Sequence, residues 1–229
     1  MRPILTDGSG ASLRRPVPSL SMTTIARPRH ARPGATYHAA LHAAASGRLV
    51  RDDADRRALL AAVAGVASAR RWTCLAWCLL DTHLHLVAIT PDGDLDAGAA
   101  DVRATYELRF RARHGFGAPL FSPSPVATQV QSERHLLGAI RYVPLNPVAA
   151  GVCGAPEDWA WSHHAAALGG GDDGLVDVAA LLGLFAAWGG DGRERYAQFV
   201  ADGVPAARDK ARELLAAAQA ARSPQLRLG

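Results

Sequence analysis

The chain has 229 residues, 49% of them hydrophobic and 20% charged, which is enough apolar material for one well-buried domain with a smaller appendage and too much for a disordered chain. Its formal charge of +4 comes almost wholly from arginine, because Lys210 is the sole lysine, and arginine suits bidentate contacts to phosphate. No apolar run reaches the roughly 18 residues of a membrane span, and Cys74, Cys78 and Cys153 form no CxxC pair or secretory framework, so reduced core thiols in a cytoplasmic protein are expected.

Residues 1–26 are rich in Gly, Ser, Pro and Arg and lack the apolar core of a signal peptide, which predicts a flexible extension with Met22 as an alternative start. After the basic entry "ARPRHARPG", Thr36 to Ala44 alternates around Tyr37 as a first strand. Asp53 stands where a helix cap would, and Leu59, Leu60, Val63 and Val66 follow at helical spacing. "WTCLAWCLL" and "HLHLVAIT", split by Asp81 and Thr82, read as a hairpin at the centre of a sheet. Leu95 to Arg113 is a helix with Val102, Tyr106 and Phe110 inward and a basic exposed face. "VATQVQS" is a short strand, and Ser132 caps a helix that Pro144 and Pro147 are expected to disturb.

Strand, helix, strand, strand, helix, strand, helix is the order of an α+β fold with a ferredoxin-like β-α-β-β-α-β core, an antiparallel sheet with helices on one face. The glycine-rich "LGGGDDG" and the helix-prone segments after it add a C-terminal helical appendage. The predicted division is a flexible extension at 1–26, a main domain at 27–168, a hinge at 169–174 and a helical region at 175–229.

The chemistry begins at "LLDTHLHLVAIT", where His83, His85 and Val87 share one face of a strand and Leu84, Leu86 and Ala88 the other. If the leucine face packs on helices, the histidines converge on the open face, where an ion could bind. "RYVPLNPVAAG" then places Tyr142 and Asn146 four residues apart, on one helix face if the helix persists. A phenol beside a carboxamide suits a nucleophile next to a metal.

These stretches together resemble the small HUH-type (His, hydrophobic, His) tyrosine transposases, in particular the REP-associated group. "RYVPLNPVAAGV" followed by "PEDWAWS" is similar to that family's "RYIHLNPVRAGLV…PEDYPWSS". "DTHLHLV" resembles its "NHYHLL" strand, "RPGATYHAAL" its opening "PGALYHV", and "RDDADRRALLAAV" its "RDDEDRRRFLELL". The resemblance spans about Arg27 to Gly203 and implies that the main domain is an HUH transposase/nuclease domain. It implies that His83 and His85 bind a divalent cation, Mg²⁺ or Mn²⁺, with Asn146 as a third ligand and Tyr142 as the nucleophile. The implied reaction is cleavage of single-stranded or hairpin DNA through a 5′-phosphotyrosyl intermediate, with rejoining to a second 3′-OH. A phenol with an intrinsic pKa of about 10 needs help to react near neutral pH, and the sequence does not name the helper. A monomer or homodimer is expected, cytoplasmic and associated with the nucleoid when bound to DNA.

Expected phosphate contacts are Arg27, Arg29 and Arg32 of the entry arm and Arg103, Arg109, Arg111 and Arg113 of the second helix. His163 and His164 replace serines of the family pattern and are not expected to be ligands. Thr82 stands where the family has asparagine, Pro144 and Ala149 replace polar or basic residues, and "APLFSPSPVA" lacks an arginine common there. These departures keep open a catalytically impaired, transposase-derived DNA-binding protein. "DTHLHL" also fits the Asp-x-His-x-His strand of metal-dependent amidohydrolases, but that barrel needs the motif on its first strand and more chain than remains here.

Overall fold

A computed structural model describes residues 32–44, 47–115, 117–123 and 126–222. The predicted extension, with Arg27 and Arg29, lies outside them. The core elements follow in order as β1 (Ala35–His42), α1 (Asp53–Ala69), β2 (Thr73–Leu79), β3 (His83–Thr90), α2 (Leu95–His114), β4 (Val126–Gln129) and α3 (Glu133–Ala149). A short 3₁₀ turn, Pro156–Asp158, leads to α4 (His164–Ala167), α5 (Val178–Ala186), α6 (Gly192–Ala201) and α7 (Val204–Arg222). Strand, helix, strand, strand, helix, strand is the ferredoxin-like order, and the four antiparallel strands lie side by side as β2-β3-β1-β4.

The hairpin of β2 and β3 is therefore not the centre of the sheet, as its hydrophobicity suggested. β1 pairs with β3 along its whole length, from Ala35↔Thr90 to His42↔His83, and carries β4 on its other side. β2 is an edge strand, yet it is buried, because later chain covers its free backbone. Leu79 N–H bonds Trp161 O at 2.9 Å, His163 N–H bonds Trp77 O at 3.1 Å and Asp177 N–H bonds Cys74 O at 2.8 Å. An edge covered in this way offers no template for another strand.

Alternation along β3 separates the two sheet faces. Leu84, Leu86 and Ala88 enter the main core with Leu59 and Val63 of α1 and Ala99, Val102 and Tyr106 of α2. Each Leu or Val among them, once buried, contributes about 1.5–3 kcal/mol, and Tyr106 satisfies its hydroxyl by donating to Leu49 O at 2.6 Å. The other face is not open. Val87, Ala76 and Cys78 pack there beneath Ala139 and Val143 of α3. A bulge between Cys74 and Ala76 turns Leu75 to the same side.

Helix ends follow local chemistry. Asp52, not Asp53, caps α1: its backbone is extended and its side chain accepts from Asp55 N–H at 3.0 Å, whereas Asp53 is already in the first turn. Ser132 caps α3 as expected, accepting from His135 N–H at 3.2 Å. Pro144 and Pro147 do not break α3, which runs without interruption to Ala149. Proline inside a helix costs about 3 kcal/mol, and here the buried face of Ile140, Val143, Leu145 and Val148 supplies packing to offset it. Among the described residues no helix is long and apolar enough to cross a membrane.

Candidate active site

The histidine face of β3 meets the histidine face of β1. The register sets Ala40 opposite His85 and His42 opposite His83, so His38 and His42 project to the same side as the HxH pair. α3 crosses above them and presents Tyr142 and Asn146. The result is a cavity of about 560 Å³ lined by His38, His42, His83, His85, Tyr142 and Asn146, with Lys210 and Leu214 of α7 at its wall. Among the described residues no carboxylate lines it.

Asn146 ties the groups together. Its Oδ1 lies 3.0 Å from His83 Nε2, its Nδ2 donates to the Tyr142 hydroxyl oxygen at 2.9 Å, and the same Nδ2 is 3.5 Å from His85 Nε2. The two rings of the HxH pair stand 4.8 Å apart and nearly perpendicular, and the His85 and Tyr142 rings 5.2 Å apart. His83 Nδ1 is 2.9 Å from Thr82 Oγ1, and His85 Nδ1 is 3.1 Å from His38 Nε2. Both outer ring nitrogens are thus partnered and both Nε2 atoms face Asn146. Tyr142 is 45% exposed and Asn146 only 7%, so the phenol is reachable while its neighbour is fixed. Pro144, between them in sequence, has not rotated one away from the other.

Burial, reinforced by the neighbouring charges of His83, His38 and His42, pushes His85 down to about 3. Burial also lowers His83, against the raising effect of its bond to Asn146, and lowers His38 with help from His135. Neutral nitrogen is the form that ligates metal. Among the described residues no three His, Cys, Asp or Glu side chains assemble a complete ion site. Two imidazoles and one amide oxygen are the donors here that could hold a divalent cation.

The expected arginines do not gather here. α2 lies on the opposite face of the sheet. Arg103 donates to the carbonyls of Ser122 and Pro123 and stacks on Phe121, holding the loop before β4. Arg111 pairs with Glu107 at 2.5 Å, and Arg113 pairs with Asp52 and Asp55. Arg109 is exposed and makes no ion pair among the described residues, and Arg32 is exposed at the entry to β1. Asp81 faces away from the cavity, its carboxylate taken by Arg56 at 2.5 Å and Arg48 at 3.2 Å. His163 and His164 also lie elsewhere, both bonded to Tyr196.

Three cavity residues went unread in the sequence. His38 and His42 alternate with buried Tyr37, Ala39 and Leu41, a period-two signal that puts them on one face of β1. Their meeting with β3 depends on register. Lys210 carried no motif, and only the packing of α7 against α3 brings it to the cavity.

No family model matches the chain, and no curated protein matches it. Among solved structures, it is similar to a REP-associated tyrosine transposase bound to a REP hairpin, with a TM-score of 0.51 and 19% identity over 59% of this chain and 79% of that one. A second similar structure, described as a transposase of Deinococcus radiodurans, has a TM-score of 0.37 and 16% identity over 47% of this chain and 87% of that one. The fold of this chain is the α+β fold of the first.

Proposed function

We propose that this chain is a metal-dependent endonuclease and strand transferase of single-stranded or hairpin DNA, with Tyr142 as nucleophile and His83, His85 and Asn146 as ligands of a divalent cation. The observation that carries the reading is the side chain of Asn146, which joins both histidines and the tyrosine in one cavity. The shared fold and the hairpin held by the REP-associated transposase support DNA as substrate.

When bound between these donors, Mg²⁺ or Mn²⁺ would act as a Lewis acid on the scissile phosphate. The residues supply the rest. Tyr142 is exposed to an incoming strand, and its oxygen attacks phosphorus. The new bond is from the tyrosine oxygen to phosphorus, the broken bond is from phosphorus to the 3′ oxygen, and the phenolic proton ends on the released 3′-OH. Asn146 Nδ2 donates to the tyrosine oxygen and so favours negative charge there, which supplies one part of the activation that the sequence left unnamed. The phosphotyrosyl bond keeps the reactivity of the original diester, so a second 3′-OH can reverse the step and join strands without a nucleotide cofactor.

The test is a labelled single-stranded hairpin DNA with Mn²⁺, carrying its label at the 3′ end. Wild type should form a denaturant-resistant adduct that Tyr142→Phe reduces by at least ~10³-fold. Gel-shifted DNA without any adduct would sink the enzymatic reading and favour a DNA-binding protein of transposase descent.

A further inference from the structure

The two histidines of the HxH pair are not equivalent, and the difference lies in what holds their outer nitrogens. Resting on the metal-site reading above, we propose that His38 is a positioning residue that fixes His85 as the Nδ1–H tautomer, leaving its Nε2 lone pair directed at Asn146 and the cavity.

The hydrogen-bond chain determines the direction. Asn146 Oδ1 faces His83 Nε2 at 3.0 Å, and Nδ2 faces both Tyr142, at 2.9 Å, and His85 Nε2, at 3.5 Å. An amide nitrogen can only donate, so the His85 Nε2 it faces carries the lone pair. The single proton of a neutral His85 then sits on Nδ1, and the acceptor there is His38 Nε2 at 3.1 Å. That acceptor role puts the proton of His38 on its own Nδ1. His85 is 94% buried and its ring is flanked by those of His38, His83 and Tyr142, so packing fixes the ring while the bond to His38 sets which nitrogen carries the proton.

His83 differs. In the same chain its Nε2 carries the proton given to Asn146 Oδ1, so its Nδ1 accepts from the Thr82 hydroxyl at 2.9 Å. A hydroxyl can also accept, so once the Nε2 proton is lost to solvent and one is taken up on Nδ1, the Thr82 O–H can rotate to accept from His83 Nδ1–H. His85 is set for ligation in advance and His83 becomes a ligand by switching. Partners of this kind set the tautomer of a ligating histidine, and their loss typically costs 10–100-fold in metal affinity.

The experiment uses the full chain with His38→Ala and His38→Gln, the glutamine keeping an oxygen that can accept from Nδ1–H. Long-range ¹H–¹⁵N spectra of the imidazoles read the tautomer directly, and Mn²⁺ electron paramagnetic resonance on DNA-free protein reads affinity. Wild type should show His85 as Nδ1–H. His38→Ala should show the Nε2–H form gaining population and Mn²⁺ binding about 10–100-fold weaker, and His38→Gln should restore most of both. An Nε2–H His85 in wild type overturns the proposal, as does an unchanged tautomer and affinity in His38→Ala. Mn²⁺ binding that depends on His38 in a protein that forms no DNA adduct leaves the proposal standing and removes the catalytic reading. Adduct formation by wild type with no effect of His38→Ala on tautomer or affinity does the reverse.

Discussion

Asn146 does two jobs with the two ends of one carboxamide: Oδ1 meets His83, and Nδ2 meets the tyrosine oxygen. Asn146→Asp should separate them. A carboxylate adds an anionic oxygen to a cavity that has none among the described residues, so Mn²⁺ should bind about tenfold or more tightly. The same change removes the N–H given to Tyr142 and sets negative charge beside the oxygen proposed to attack. Single-turnover adduct formation should therefore slow by ~10²–10³-fold at saturating metal, in line with the loss of one donor to a charge-developing oxygen. Affinity and rate moving in the same direction would contradict this division of labour.

Among the elements, α1 and α2 show why a basic helix need not be a DNA-binding helix. Asp55 is buried, and Arg113, His114 and the Arg51 N–H all bond its carboxylate. Burial pushes the Asp55 carboxyl up, but those bonds more than offset it and hold it below the ordinary carboxylate range. Arg113 is thus committed to locking the end of α2 to the start of α1. The other end of α2 depends on close approach. A Cβ on Gly98 would stand 2.3 Å from two carbons of the Trp72 ring, and Trp72 is itself buried and tied to Asp94 through Nε1 at 2.8 Å. Gly98→Ala, though favourable for an isolated helix, should cost about 1–3 kcal/mol by overpacking. Urea unfolding checks it, and a midpoint at or above that of wild type would show that the ring has room to move.

At the scale of the whole molecule, the C-terminal helices are joined to the sheet by buried polar groups. His163 is fully buried, with Nδ1 3.0 Å from Trp77 O and Nε2 3.1 Å from the Tyr196 hydroxyl, which also lies 2.9 Å from His164 Nδ1. Burial lowers His163 to about 4, against a raising bond to Trp77 and with help from the nearby charge of His164. The unfolded chain takes up that proton near 6.5 and the folded chain only near 4, so the stability is full above about 6.5 and falls as the pH drops from there to about 4. Each such histidine can contribute up to about 1.4 kcal/mol per pH unit in that window, and His85 adds to the trend from within the cavity. Melting temperatures measured from pH 7 to pH 4.5 should decline steadily, with a shallower slope for His163→Gln. A flat profile would mean that neither histidine is buried neutral.

The order of elements, the alternation of β3 and the pairing of Tyr142 with Asn146 were legible from local sequence, because periodicity and capping act within a few residues. The α+β class followed from that order, and His83, His85, Tyr142 and Asn146 were readable as one set through their family resemblance. What local pattern could not supply was register and layer. The one-residue register of β1 against β3 sets Ala40 opposite His85 and brings His38 and His42 to the site. β2 reads like a central strand because it is hydrophobic, but it is apolar because much later chain, from Trp161 to Asp177, covers its edge. Helix charge on α2 looks available for DNA until tertiary packing brings Asp52 and Asp55 against Arg113. Sequence by itself determined which residue types stand at which spacing along each element. Tertiary structure alone decided which faces meet, since hydrogen bonds between imidazole, amide and phenol require positions set to within an ångström by strands and helices far apart in the chain.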